Sequence, residues 1–128
     1  MMTDRRSIAE MLTEAQATIT RVDARTAHDA TGKGATLIDT RSPDAQERDG
    51  HIPGALELPL SVLEWRVDPD SESRAEGAPD FDDQVILICA HGFSSSFAVL
   101  RLQELGYTNV ADVVGGFEAW QNEGLPVS

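Results

Sequence analysis

The chain has 128 residues, of which 41% are hydrophobic and 25% charged, and a domain of this length buries enough apolar surface to fold without disulfides or a metal. Its formal net charge of −12 argues against a nucleic-acid partner, because no basic surface is present to displace the counterions of a phosphate backbone. The single cysteine, the lack of a signal-peptide pattern and the lack of any long apolar run predict a soluble cytoplasmic protein without a membrane partner.

The first half of the sequence alternates helical and extended patterns. Apolar residues at helical spacing predict a helix over residues 7–17, with Ser7 as its N-cap. We expect residues 1–18 to form an N-terminal helix that packs on or precedes a domain spanning 19–128. The same criteria predict strands and helices in the order strand 19–22, helix 24–30, strand 35–39, helix 42–50, strand 55–58 and a short helix 62–66 capped by Ser61.

Residues 64–83 form an acidic segment with little apolar pattern. It contains eight acidic and two basic residues and therefore carries half of the net charge. We predict a long surface loop here. Two interpretations remain open: a solvated loop, or an electrostatic gate that repels anions from a nearby site.

The second half begins with the apolar run VILI at residues 85–88, which is typical of a central parallel strand covered on both faces. A helix over 95–105, a strand over 110–114 and a helix over 117–123 follow. Strands that alternate with helices predict an α/β fold with a mainly parallel sheet, in which ligands bind beyond the carboxyl ends of the strands. Cys89 and Asp39 both follow such ends.

The segment from Cys89 to Ser95 joins the central strand to a helix. The first amides of a helix have no intrahelical partners, and Gly92 allows the preceding loop to curl its amides inward around an anion. A sulfur held there is favoured as the thiolate, and the same amides would hold the anionic outer sulfur of a persulfide. The alternative is that Cys89 is a small buried apolar residue of the core.

Four motifs in order resemble the rhodanese-like family of sulfurtransferases. They are LIDTR (37–41), GHIPGA (50–55), CAHGFS (89–94) and LGYTNVADVVGGFEAWQNEGLPV (105–127). The resemblance covers residues 36–127. It implies a five-stranded, mostly parallel sheet flanked by helices on both faces, with Phe117 and Trp120 in the core.

The resemblance also implies a ping-pong reaction in which Cys89 takes a sulfane sulfur and passes it to a thiol or cyanide. The donor would be a small molecule or a protein-borne group, and no cofactor or metal is implied. The loop implied to bind the donor or the anionic sulfur comprises Ala90, His91, Gly92, Phe93, Ser94 and Ser95. Around it the family uses an ion pair of Asp39 and Arg41 to tie the strand end to neighbouring loops, and a loop-fixing hydrogen bond from His51.

Family members that use thiosulfate often carry Arg or Lys inside the active loop. Here the corresponding positions hold Ala90, His91 and Phe93, and no Arg or Lys lies between Arg74 and Arg101. A small dianion would gain little steering from such an acidic chain, and Arg48 is the nearest cation in sequence that could compensate. We therefore expect a persulfide donor rather than thiosulfate, with Phe93 forming part of an apolar mouth.

Two other functions are weighed against sulfur transfer. Cysteine phosphatases and arsenate reductases on the same fold use a loop one residue longer that ends in arginine, and Ser95 stands where that arginine would be. Phosphoryl transfer needs a bidentate cation, so this function is disfavoured. A non-catalytic binding or regulatory module of rhodanese type remains the alternative. The motifs specify no oligomeric state.

Overall fold

Five parallel strands form one sheet in the computed structural model, which describes residues 4–128. The strands are β1 (Thr20–Val22), β2 (Thr36–Asp39), β3 (Leu56–Glu57), β4 (Val85–Ile88) and β5 (Val110–Val113). Their order across the sheet is β1-β5-β4-β2-β3, and every neighbouring pair is parallel. The predicted α/β fold is confirmed, and the sheet is wholly rather than mostly parallel.

Six helices flank the sheet within residues 4–128, and three of them begin at a side chain that caps the helix. They are α1 (Ile8–Thr18), α2 (Ala24–Thr31), α3 (Pro43–Asp49), α4 (Leu63–Val67), α5 (Ser94–Leu105) and α6 (Gly116–Asn122). Ser7, Asp23 and Ser42 accept hydrogen bonds from the first turns of α1, α2 and α3, as N-caps do. Within residues 4–128, no helix combines the length and apolar composition needed to cross a bilayer.

The start of α4 differs from the prediction. Ser61 does not cap it, because residues 60–62 form a 3-10 turn and α4 begins at Leu63 without a side-chain cap. Pro59 precedes this turn and fixes the backbone that enters it. The turn places Leu63 and Val67 in the core and leaves Ser61 on the surface.

β4 lies in the middle of the sheet and contributes to two separate cores. Val85 and Leu87 pack on the face covered by α4 and α5, whereas Ile86 and Ile88 pack on the face covered by α2 and α6. All four side chains are almost fully buried. This alternation follows from the two-residue period of a strand. It leaves the residue after Ile88 at the carboxyl edge of the sheet, between the two helical layers.

The acidic segment 64–83 is not a loop throughout, because residues 64–67 belong to α4 and bury Val67 in the core. The rest of the segment is a loop without a regular helix or strand, and its second half is anchored at the edge of the sheet opposite to Cys89. The Tyr107 hydroxyl lies 2.8 Å from the carbonyl oxygens of both Val67 and Pro79, and the Thr108 amide donates to the carbonyl oxygen of Phe81. These contacts place the second half of the segment where β4 and β5 begin, away from Cys89. For that half of the segment they favour a solvated acidic loop over an electrostatic gate, whereas Glu64 at its start lines a groove that also contains Ser94.

Candidate active site

Cys89 follows β4 and lies in a cradle of hydrogen-bond donors formed by the loop that leads into α5. Its Sγ atom is 3.2 Å from the Gly92 amide nitrogen, 3.4 Å from the Ser95 amide nitrogen and 3.2 Å from Ser95 Oγ. Gly92 has a φ of +80°, a left-handed conformation that turns its amide back towards the sulfur. The cysteine is 5% exposed and unpaired.

This cradle changes the acidity of the thiol. Burial raises the pKa of Cys89, but hydrogen bonds lower it by more than burial raises it. Their donors are the Ser95 hydroxyl and amide, the Ser94 hydroxyl and the Gly92 amide. The net pKa lies below the ordinary value of a thiol. The N-terminus of α5 points at the same sulfur and adds a favourable dipole. The cradle therefore favours an anionic sulfur.

The other residues of the active loop lie on its surface. Ala90, His91 and Phe93 are exposed, and Phe93 keeps 60% of its surface accessible. His91 lies with its Nδ1 atom 3.5 Å from a carboxylate oxygen of Glu118 on α6. Ser94 is the first residue of α5 and does not cap it, because the N-cap position is held by Phe93.

The first turn of α6 holds the active loop from behind. The Phe117 amide donates to the carbonyl oxygen of Cys89 at 2.7 Å, and the Glu118 amide donates to that of Ala90 at 3.1 Å. Gly116 makes this approach possible, because a Cβ atom there would collide with the Cys89 carbonyl oxygen and the Gly92 amide nitrogen. The loop conformation is thus fixed by two helix starts, those of α5 and α6.

Asp39 and Arg41 form a buried ion pair at the end of β2. Nη2 and Nε of Arg41 donate to both carboxylate oxygens of Asp39 at 2.7–3.3 Å, and Nη2 also donates to the Gly50 carbonyl oxygen at 2.9 Å. The guanidinium lies 3.6 Å over the centre of the Phe117 ring. One side chain thereby joins β2, the GHIPGA loop and α6 at a site next to the active loop.

His51 and Arg48 lie further from the sulfur. His51 contacts Glu57 through Nδ1, which raises the histidine pKa, and its backbone pairs with Ser128. Arg48 is exposed and pairs with Asp49 at 2.9 Å. The structure therefore places His51 as a link between the GHIPGA loop, β3 and the C-terminus, and the charge of Arg48 is already matched by its neighbour.

A match to a family model identifies this arrangement. The model described as Rhodanese-like domain matches residues 13–123, which is most of the chain. The chain belongs to the rhodanese-like family.

Named relatives agree with this assignment, and a solved structure shares the fold. The rhodanese-like chain is 32% identical over 108 residues to Thiosulfate sulfurtransferase 16, chloroplastic, of Arabidopsis thaliana, covering 82% of this chain and 89% of that protein. Over 48 residues it is 54% identical to Thiosulfate sulfurtransferase GlpE of Actinobacillus succinogenes, covering 38% of this chain and 43% of that protein. A Rhodopseudomonas palustris structure, described as of unknown function and a possible tyrosine phosphatase, matches with a TM-score of 0.87 at 32% identity, covering 100% of this chain and 98% of that chain.

Two shallow openings flank the active loop of this rhodanese-like domain. A cleft of about 220 Å³ lies on the α3 and α6 side, and its lining includes Arg41, Arg48, Ala90, His91, Phe117 and Glu118. A groove of about 230 Å³ lies on the α4 and α5 side, and its lining includes Leu60, Leu63, Glu64, Ser94, Phe97 and Arg101. The cations in each opening face acids, since Arg101 lies 3.4 Å from Glu64 and Arg48 pairs with Asp49.

A buried polar network lies behind the cysteine and was not predicted from the sequence. Asp112 on β5 is fully buried and accepts hydrogen bonds from Ser95, Ser96 and Arg21. Gln16 on α1 also contacts Ser96 and the Gly92 carbonyl oxygen. The signal that could have revealed it is an acidic residue inside the apolar strand VADVV, because a buried carboxylate needs partners.

Proposed function

We propose that this protein is a sulfurtransferase in which Cys89 carries sulfur as a persulfide. The Cys89 thiolate attacks the sulfane sulfur of a donor, a new S–S bond forms on Cys89, and the donor leaves with the electron pair of its broken bond. A thiol or cyanide acceptor then attacks the outer sulfur, and the electron pair of the Cys89 S–S bond returns to Sγ. Each half-reaction conserves electrons, so no external oxidant or cofactor is required.

The observation that carries this proposal is the cradle around Sγ. Two amides and one hydroxyl lie 3.2–3.4 Å from the sulfur, and they favour the anionic nucleophile and the anionic leaving group of the two half-reactions. We propose that the rest of the loop, Ala90 to Ser94, binds the outer sulfur or the donor. Two relatives are named thiosulfate sulfurtransferases, which supports the same class of reaction here.

We further propose that the donor is a persulfide of a small thiol or a protein rather than thiosulfate. The groove beside Ser94 is lined by the apolar side chains of Leu60, Leu63 and Phe97. Leu60 keeps 40% of its surface exposed, and Phe93, which directly precedes Ser94, keeps 60%. A dianion finds no unpaired cation in this groove, because Arg101 faces Glu64. An apolar rim suits a larger donor that buries carbon surface around its sulfur.

The active loop of this chain is poorly suited to phosphatase chemistry, the activity suggested for the Rhodopseudomonas palustris protein. The active loop supplies Phe93, Ser94 and Ser95 where a phosphatase loop needs a guanidinium for the equatorial oxygens. Two arginines lie close to the loop, but Arg41 is committed to Asp39 and the Gly50 carbonyl oxygen, and Arg21 is committed to Asp112 and the Gly92 carbonyl oxygen.

Mass spectrometry of the intact protein after exposure to sulfur donors tests the proposal. A small-molecule persulfide should add the mass of one sulfur atom, the addition should map to Cys89, and cyanide should remove it. Cys89→Ser is the matched control and should gain no sulfur while keeping the circular dichroism spectrum of the parent. A chain that gains no sulfur from any donor would instead be a rhodanese-type binding module, and labelling of Cys89→Ser would overturn the assignment of the nucleophile.

A further inference from the structure

The hydroxyl of Ser95 lies between two groups that compete for its single proton. Ser95 Oγ is 3.2 Å from Cys89 Sγ and 2.8 Å from Asp112 Oδ2, and both Ser95 and Asp112 are fully buried. A hydroxyl has one O–H donor and two acceptor lone pairs. With an uncharged thiol, the S–H donates to Ser95 Oγ and Ser95 donates to the carboxylate. With an anionic sulfur, that proton has two negative partners.

Asp112 can lose the hydrogen bond from Ser95 and still keep other hydrogen-bond donors. Its Oδ2 atom also accepts from Ser96 Oγ at 2.8 Å and from Arg21 Nη2 at 3.2 Å, and Arg21 Nε donates to Oδ1 at 2.8 Å. Arg21 Nη2 also donates to the Gly92 carbonyl oxygen at 2.8 Å, so the carboxylate and the active loop share one guanidinium. The thiolate therefore gains a donor while the buried carboxylate keeps its charge partner.

We propose that Asp112 is a positioning residue whose carboxylate accepts the Ser95 O–H hydrogen bond while Cys89 Sγ is uncharged. When Sγ becomes anionic, the Ser95 hydroxyl donates to the sulfur instead. The second part of this inference rests on the proposed function. During sulfur transfer, the acceptor thiolate attacks the outer sulfur, the Cys89 S–S bond breaks, and its electron pair stays on Sγ. The Ser95 O–H then rotates from Asp112 to Sγ and stabilises the departing thiolate.

The ion pair of Asp112 and Arg21 reaches the sulfur through the Ser95 hydroxyl. Gln16 adds a neutral contact from α1. Charged side chains in the two openings beside the loop also form pairs, namely Asp39 with Arg41, Arg48 with Asp49, His91 with Glu118 and Glu64 with Arg101.

Alkylation of Cys89 by iodoacetamide over a pH series tests the inference directly, because the rate follows the thiolate fraction. Ser95→Ala should slow alkylation at about pH 6 by about tenfold, the loss of roughly one hydrogen bond to a charged group. Ser96→Ala is the matched control, since Ser96 is equally buried and makes the same contact with Asp112 Oδ2 without touching the sulfur. It should change the rate by less than about twofold. Equal pH profiles for the two alanine variants would overturn the proposal.

A double-mutant cycle then assigns the role of Asp112. Asp112→Asn should speed alkylation by about threefold, because an amide competes less for the Ser95 proton and the nearby negative charge is gone. In the Ser95→Ala background, Asp112→Asn should change the logarithm of the alkylation rate by less than about half as much. Only the electrostatic effect of removing the Asp112 charge then remains. Strict additivity, or slower alkylation in Asp112→Asn, would contradict the inference. If Asp112→Asn does not fold, the comparison of Ser95→Ala with Ser96→Ala still decides.

Alkylation and sulfur transfer separate this inference from the proposed function. The alkylation profiles report the ionisation of Sγ in a chain that transfers sulfur or in one that does not. If the profiles behave as expected and no donor loads Cys89, the proposed function fails while the Ser95 and Asp112 coupling stands. If Cys89 loads normally and Ser95→Ala matches Ser96→Ala in both ionisation and transfer rate, the coupling fails alone.

Discussion

The Phe117 amide donates a 2.7 Å hydrogen bond to the carbonyl oxygen of Cys89, so the start of α6 holds the backbone of the candidate nucleophile from the side opposite to α5. Phe117 also lies under the Arg41 guanidinium. The active loop is therefore fixed by backbone contacts between elements that are distant in sequence. Its conformation should depend on residues that never touch a substrate.

Gly116→Ala should destabilise the fold by more than about 2 kcal/mol. Gly116 has a φ of +59°, and a Cβ atom there would overlap the Cys89 carbonyl oxygen and the Gly92 amide nitrogen. Gly77→Ala is the matched control, because Gly77 has a φ of +83° with open space around its Cα and should cost only the backbone strain of about 1–2 kcal/mol. Urea unfolding measures both. Equal losses would show that the close approach of Gly116 contributes nothing.

The alkylation rate of native Cys89 should rise with pH through a midpoint below that of the unfolded chain. Hydrogen bonds from the cradle outweigh the effect of burial and lower the folded-state pKa of this thiol, whereas an unperturbed thiol titrates near about 8.5. Because the folded pKa is the lower one, thiolate formation stabilises the fold above the unfolded pKa, and this contribution is lost as the pH falls through the folded pKa. Alkylation of the chain in guanidinium is the control. A native midpoint at or above the denatured one would contradict the cradle.

Much of the fold could be predicted because its elements follow local rules. Ser7, Asp23 and Ser42 cap helices, and the apolar run at residues 85–88 is the central strand. The start of α4 could not be placed from the sequence. Whether the helix begins directly after Ser61 or only at Leu63 depends on which side chains the core accepts. Local sequence carries no information about that packing.

The site was predictable to the extent that it is continuous in sequence. Gly92 has the left-handed conformation that the motif predicted, and Ser95 lies beside the sulfur. Asp112 and Arg21 could not be placed there, because they belong to β5 and β1 and reach Cys89 only through the strand order of the sheet. Networks that cross strands depend on register, which a single sequence does not specify.

Arg41→Lys should lower the free energy of unfolding by about 2–4 kcal/mol. Lysine cannot span both carboxylate oxygens of Asp39 and the Gly50 carbonyl oxygen as the guanidinium does, and it leaves buried acceptors without donors. Arg48→Lys is the control, because that arginine is exposed and pairs only with Asp49, so its melting temperature should stay at the parental value. A stable Arg41→Lys variant would show that the ion pair does not hold the three elements together.

Ala90→Arg should raise kcat/KM for thiosulfate by at least about threefold, because it adds a cation to an active loop that has none and a dianion is steered by local positive charge. Ala90 is exposed beside the cleft that contains His91 and Phe117, so the longer side chain has room. Thiocyanate formation from thiosulfate and cyanide measures the rate, and the gain should shrink as ionic strength rises. Ala90→Gln controls for side-chain length without charge. An equal gain in Ala90→Gln, or no gain in Ala90→Arg, would show that missing charge does not limit thiosulfate use, and selection among donors would then depend on the apolar rim around Phe93.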